Sequence, residues 1–119
     1  MSINITYPPG STGGGESTAA TTHVADATLT APAGRSRHIG NTAGGNIALD
    51  LPAAGDANAA AELVVVKLGA ANALTVTPAG AETINGETGA LVLTVNGEFV
   101  VLWPVTGGWV FLSQTPLYA

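Results

Sequence analysis

The sequence lacks cysteine and is poor in charge, and each absence excludes a class of function. Without cysteine there is no disulfide framework, thiolate metal site or cysteine nucleophile. Arg35, Arg37 and Lys67 are the 3 basic residues against 8 acidic ones, which gives a net charge of −5. Nucleic-acid binding needs clustered lysine and arginine to contact phosphates, so we expect no nucleic-acid partner.

The low fraction of charged residues also indicates what kind of surface the protein has. Charged residues make up 9% of the chain, the hydrophobic fraction is 46% and the mean hydropathy is +0.37, whereas about 25% charged residues is usual. A monomer of this composition would leave apolar or weakly polar surface in water. We therefore expect the chain to associate with copies of itself or with a scaffold.

The termini carry no membrane or secretion signal. The first ten residues have neither the basic region nor the apolar core of a secretory signal. The uncharged stretch after Glu98 is interrupted by Pro104, Gly107, Gly108 and Pro116, and its residues alternate as in strands. It predicts a pair of strands and no membrane span.

The chain divides into an arm and a domain. Ile3, Ile5 and Tyr7 alternate with polar residues ahead of two prolines and a glycine-rich linker. We expect an extended N-terminal arm with its linker over 1–21 and a β-domain over 22–119. Such an arm is either disordered alone or an anchor that adds a strand to a neighbouring subunit's sheet edge.

Strand and turn signals fill the domain. Short runs with a period of two recur at spacings near ten residues, which favours a small antiparallel β-sandwich or a jelly-roll-like barrel. Asn85-Gly86 and Asn96-Gly97 are two-residue turn signals, and we expect 90–95 and 98–103 to form a hairpin around the second. The expected core is Leu63, Val65, Leu74, Val76, Ile84, Leu91, Leu93, Phe99, Val101, Trp103, Trp109 and Phe111.

Catalytic chemistry is not indicated. Asp50 with Asp56 and Glu82 with Glu87 are the available carboxylate pairs, but all four residues lie at expected turns or strand edges, where acids are normally solvated. We expect neither an enzyme nor a bound cofactor.

Two histidines and two arginines complete the candidate chemistry. His23 and His38 are the only imidazoles, and without an HxxxH spacing they predict exposed side chains, although a trimer could bring three copies of one histidine to a shared axis. Arg35 and Arg37 lie close together in Arg35-Ser36-Arg37-His38. They indicate either a solvated loop or a contact in which arginine pairs with a partner's carboxylate.

An ordered set of motifs carries a resemblance. It consists of 45–54 (GNIALDLPAA), 64–67 (VVVK), 71–78 (ANALTVTP), 82–86 (ETING) and 107–112 (GGWVFL). The set resembles a domain that recurs in phage tail fibres, head fibres and capsid-decoration proteins. It spans somewhat over half of the chain, and its specificity comes from the order of the pieces.

The resemblance implies a small β-sandwich that assembles, typically as a homotrimer, on the outside of a virion. The resemblance does not decide between a capsid-decoration or cement protein bound to the major capsid protein and a tail-fibre or head-fibre module for host attachment. Because a short chain with an anchoring arm fits decoration better than a long fibre, we expect a capsid-decoration protein, with the fibre module as the alternative. Under either, we expect partner contacts at Ile3, Ile5, Tyr7, Arg35 and Arg37, with no membrane partner.

Overall fold

Residues 20–114, which the computed structural model describes, consist almost entirely of strands. Their helical structure is limited to a 3-10 turn at Ala54–Asp56, and no helix among them is long and apolar enough to cross a membrane. The arm residues Ile3, Ile5 and Tyr7 lie outside this range. The strands are β1 (Thr21–His23), β2 (Ala27–Thr28), β3 (Arg35–Asn41), β4 (Ile47–Asp50), β5 (Glu62–Leu68), β6 (Leu74–Thr77), β7 (Thr83–Ile84), β8 (Leu91–Leu93), β9 (Phe99–Val105) and β10 (Gly108–Gln114).

The strands form two sheets. Sheet A has six strands in the order β1-β3-β5-β9-β10-β7, and sheet B has four in the order β2-β4-β6-β8. Side chains from both sheets meet in one buried cluster that includes Leu63, Leu74 and Trp109. The all-β, sandwich-like expectation is confirmed. Since Thr21 already pairs with His38, the first strand begins one residue before the expected domain start.

Strand direction differs from the expectation. The chain alternates between the sheets from β1 to β9, so β1, β3 and β5 run parallel in sheet A while β2, β4 and β6 run parallel in sheet B. Among the described strand pairs five are parallel and three antiparallel, so the expected antiparallel sandwich is wrong on this point. Parallel neighbours need a crossover, and here the strand in the opposite sheet supplies it.

The alternation of the chain between the two sheets forms a coil, and one turn of it has the same length in both sheets. Arg35 pairs with Glu62 and Ile47 pairs with Leu74, 27 residues apart in each case, whereas the preceding pairs, Thr21 with His38 and Ala27 with Leu49, are 17 and 22 residues apart. At the corner between the sheets, Thr42 N–H donates to the Leu68 carbonyl over 2.9 Å.

A buried lysine supports the same corner. Lys67 points between the sheets and is fully buried, and its Nζ donates to the carbonyls of Gly69 and Ala71. A buried ammonium needs such acceptors to replace its lost water. The hydroxyl of Thr42 also donates to the Ala71 carbonyl, over 2.7 Å. Lys67, the last residue of the VVVK motif, therefore has a structural role in the corner.

Of the two predictions made at asparagine-glycine turns, one is confirmed and one is wrong. Asn85 and Gly86 both have positive φ, 51° and 81°, and Ile84 bridges Glu87 across them, which confirms a tight turn there. The hairpin expected around Asn96-Gly97 is wrong, because β8 pairs with β6 in sheet B while β9 pairs with β5 and β10 in sheet A. That turn carries the chain from one sheet to the other.

The expected core is right except along β9. Leu91 and Phe111 pack half-buried against the core, and the expected core residues of β5, β6, β7 and Trp109 are buried. Phe99, Val101 and Trp103, however, point out of the sandwich, and Val100 and Leu102 are buried instead. Since β9 is apolar at both alternating sets of positions, the period of two could not decide which set faces inward.

Replacing Gly97 with valine should lower the free energy of unfolding by about 1–3 kcal/mol, because a β-branched side chain is strained at φ +86°. Urea denaturation at fixed protein concentration measures the effect. Gly89→Val is the matched control, since a side chain there meets nothing within 4 Å and Gly89 has no positive φ. Equal stability of the two variants would show that the Gly97 conformation is wrong.

Candidate functional site

The outer face of sheet A is the largest candidate for a binding surface. Its side chains come from alternate positions of β3, β5, β9 and β10, and most are aliphatic or aromatic. We call this set the apolar outer face: Ile39, Val64, Val66, Leu68, Phe99, Val101, Trp103, Val105, Val110 and Leu112.

Strand register makes these side chains contiguous. Val64 pairs with Val101, which pairs in turn with Leu112, and Trp103 pairs with Val110. Paired residues on one face of a sheet lie side by side. Most of the set is half-buried by its own neighbours, but Leu112 remains 67% exposed.

The outer face of sheet B is different in character. Its alternate positions carry small or polar residues, Ala48 and Asp50 on β4 and Thr75 and Thr77 on β6. Val92 on β8 is its one large apolar side chain among the described strands of sheet B. The molecule is therefore one-sided, with an apolar surface on sheet A and a weakly polar one on sheet B.

The arginines border the apolar outer face. Arg35 and Arg37 lie on β3 with half-exposed side chains, so the alternative of a solvated loop is wrong. The run from Arg35 to Asn41 has weak strand propensity, and it forms a strand because β1 and β5 pair with it on both sides. Arg35 Nε lies 3.5 Å from Glu62 Oε1, an exposed ion pair of the kind that contributes about 1 kcal/mol at most.

His23, His38 and Ser36 form the second candidate site. Ser36 and His38 point inward from β3, and His23 reaches the same place from β1. His23 Nε2 lies 2.9 Å from His38 Nδ1, and Ser36 Oγ lies 2.7 Å from His38 Nε2. The expectation of two exposed histidines is wrong, since His38 is only 8% exposed and the rings stack with centroids 5.2 Å apart.

Burial changes the chemistry of His38. Desolvation, followed by the proximity of His23, lowers the pKa of His38 from 6.5 to about 4. His38 is therefore neutral at neutral pH. Its distance to Ser36 is that of a base and a nucleophile, but a pKa near 4 makes His38 a weak base.

Cavities and carboxylates lie elsewhere. A cavity of about 390 Å³ is lined by Ile84, Leu91 and Phe111 together with Asn85 and Glu87, and a second lies beside Pro104. The Asn85 amide bonds the backbone of Phe111, which occupies its polar groups.

The carboxylate pairs available in the sequence are exposed or make structural contacts. The carboxylate of Glu82 accepts the Ala54 N–H at 3.0 and 3.2 Å, which is a structural contact. Asp50, Asp56 and Glu87 are exposed. Within residues 20–114 no three His, Cys, Asp or Glu side chains converge as a metal-binding group.

Known proteins give no further guidance. A scan against protein-family models and a search of curated proteins returned no match to this chain. Its function is therefore proposed from its own sequence and surfaces.

Acid should destabilise the protein through His38. Between pH 4 and 6.5 the unfolded chain binds a proton at this residue that the folded chain does not, so stability falls as the pH decreases through this window. The maximum loss is about 3 kcal/mol. Urea denaturation from pH 7.5 to 4.5 should give a steeper decrease for the wild type than for His38→Gln. Identical pH dependence in the two proteins would contradict the burial of a neutral His38.

Proposed function

We propose that the protein is a structural virion protein, a capsid-decoration or cement protein that binds the outer surface of a phage head and stabilises it. The observation that carries this proposal is the apolar outer face of sheet A on a chain with only 9% charged residues. An apolar sheet face left in water is unfavourable, and covering it contributes about 25 cal/mol per Å². The proposed role is non-catalytic.

Self-association is the first part of the proposal. Seven-residue strands such as β5 and β9 span about 23 Å, and the step from β3 to β10 is about 14 Å. A stable interface buries about 800 Å² on each partner, which is more than this flat rectangle. We infer a homotrimer in which the apolar outer face is central and loops of the β-domain add area around it.

Binding to the shell is the second part. The proposed extended N-terminal arm would add Ile3, Ile5 and Tyr7 as a strand to a sheet edge of the major capsid protein, with main-chain hydrogen bonds giving affinity. Arg35 and Arg37 at the border of the apolar outer face would pair with carboxylates of a neighbour. The resemblance of the motifs between residues 45 and 112 to phage decoration and fibre domains supports a phage virion as the location.

A fibre module is the second candidate. In the described part, β1 and β2 are edge strands at one end of the parallel coil. Each is only two or three residues long, and the next strand inward, β3, has seven. Strands of another chain could continue the coil at this end, as lengthwise growth of a fibre requires.

Self-association is tested by mass in solution. Light scattering at micromolar concentration should give a multiple of 11.7 kDa, with three copies as the expectation. Leu112→Lys should weaken association by at least about tenfold, because it places a charge in the buried interface. Val92→Lys on sheet B, exposed to 52%, is the matched control and should leave the mass unchanged. A wild-type monomer, or equal effects of the two variants, would contradict this interface.

Shell binding is tested by deleting residues 1–10. The shortened chain should keep its circular dichroism spectrum and its mass in solution, because the two sheets are built from residues 21–114. Its binding to phage capsids should be lost or greatly weakened, since the strand contributed by the arm is absent. Capsid binding at wild-type occupancy would contradict the anchoring role of the arm and would indicate Arg35 and Arg37 as the capsid contact. Failure to fold would show that the arm belongs to the sandwich.

A further inference from the structure

The histidine pair places two metal-ligand atoms face to face. His23 and His38 lie on adjacent strands, and their facing nitrogens, Nε2 and Nδ1, are 2.9 Å apart. They are the only histidines of the chain, and there is no cysteine. A metal site with two imidazole ligands from a single chain must therefore use this pair.

The hydrogen bonds provide a lone pair between the rings. In one arrangement His38 Nε2–H donates to Ser36 Oγ and His23 Nε2–H donates to the bare His38 Nδ1. In the other, Ser36 O–H donates to His38 Nε2 and His38 Nδ1–H donates to the bare His23 Nε2. Both arrangements leave one lone pair and one proton between two neutral rings.

We propose that His23 Nε2 and His38 Nδ1 together bind one divalent transition-metal ion of the imidazole-preferring class, such as Zn²⁺, within a single chain. The proton between the rings moves to the other nitrogen of its own ring, so both imidazoles stay neutral and both facing lone pairs bind the ion. His38 Nε2–H then donates to Ser36 Oγ. This is the outer hydrogen bond that metal-bound histidines usually make.

The geometry needs a separation and a turn of the two rings. Zinc–nitrogen bonds of about 2.0–2.1 Å at a tetrahedral angle hold two nitrogens about 3.3 Å apart, with the ion about 35° off the line that joins them. The nitrogens must therefore separate by about 0.4 Å from the observed 2.9 Å, and each ring must turn so that its lone pair points at the ion. Within residues 20–114, β1 is a three-residue edge strand that pairs on one side with β3, so His23 can move without disturbing sheet B.

The charged side chains near the histidine pair bond elsewhere or point away, so the facing nitrogens remain available to bind an ion. Lys67 faces the interior from β5, but the carbonyls of Gly69 and Ala71 hold its ammonium. Asp26, which follows β1, accepts the Ala48 N–H with its carboxylate. Arg35 and Arg37 point to the opposite side of sheet A. Water would complete the coordination of the ion, since the described part of the chain offers no third ligand of the His, Cys, Asp or Glu type.

Calorimetric titration of the full-length, tag-free chain with zinc chloride at pH 7.5 tests the site. One Zn²⁺ should bind per chain, and the ¹⁵N chemical shifts of both rings should change together. His23→Gln and His38→Gln should abolish saturable binding. Ser36→Ala should weaken it by about tenfold, while Asp26→Asn should leave it unchanged. Lowering the pH to 5.5 should weaken binding, because protons compete with the ion for imidazole nitrogens.

Three results would overturn the site. They are the absence of saturable binding, binding that persists in both glutamine variants, and one ion for every two or three chains, which would place the metal between copies. Circular dichroism spectra equal to that of the wild type should accompany each variant, and loss of binding in an unfolded variant does not count as support. The Ser36→Ala and pH measurements keep the proposal falsifiable in that case.

Discussion

Sheet A is apolar on both faces, and sheet B covers only one of them. The inner face packs Leu63, Val65 and Leu102 against sheet B in a fully buried core. The outer face repeats the same chemistry with Val64, Val101 and other apolar side chains that nothing in the described part of the chain covers. A small domain has limited core to stabilise it, so covering the second face has a large effect relative to total stability. The proposed self-association and the proposed place in a larger assembly both depend on this constraint.

The coil explains how so small a chain builds a face of this kind. Because successive turns place their strands side by side, β3, β5 and their antiparallel neighbours β9 and β10 align alternate residues into rows across sheet A. The corners must then satisfy their polar groups without solvent on both sides. Thr42 and Lys67 do so by bonding the carbonyls at the turn between β5 and β6. Hydrogen bonds of polar side chains thus hold the corner, whereas the two faces of sheet A are apolar.

Sequence reasoning predicted the local structure better than the pairing. A nearly continuous β-branched run identified β5, alternating residues identified β6 and β10, and Asn85-Gly86 identified its turn, because these signals are local. The partner of each strand is not a local property, so the coil was mistaken for a set of hairpins. β3 was missed because Arg35 to Asn41 are poor strand formers that depend on β1 and β5. The contact of His23 with His38 spans 15 residues and follows from that missed pairing.

The sequence predicted that the protein has an apolar surface, but not which residues form it. Low charge predicted an unburied apolar surface, yet the sequence assigned Phe99, Val101 and Trp103 to the core. A strand that is apolar at every position is itself the signal of a sheet covered on both sides. For β9 this second cover is the one that another copy would supply.

Acrylamide quenching of Trp103 fluorescence tests the central claim most directly. The chain has 2 tryptophans, so Trp109→Phe leaves Trp103 on the apolar outer face as the sole reporter. Trp103→Phe leaves the fully buried Trp109 as the control. Trp103 should be shielded from acrylamide at micromolar concentration and become quenchable on dilution as copies separate, while Trp109 stays shielded throughout. Quenching of Trp103 that is strong at every concentration would contradict an interface on this face.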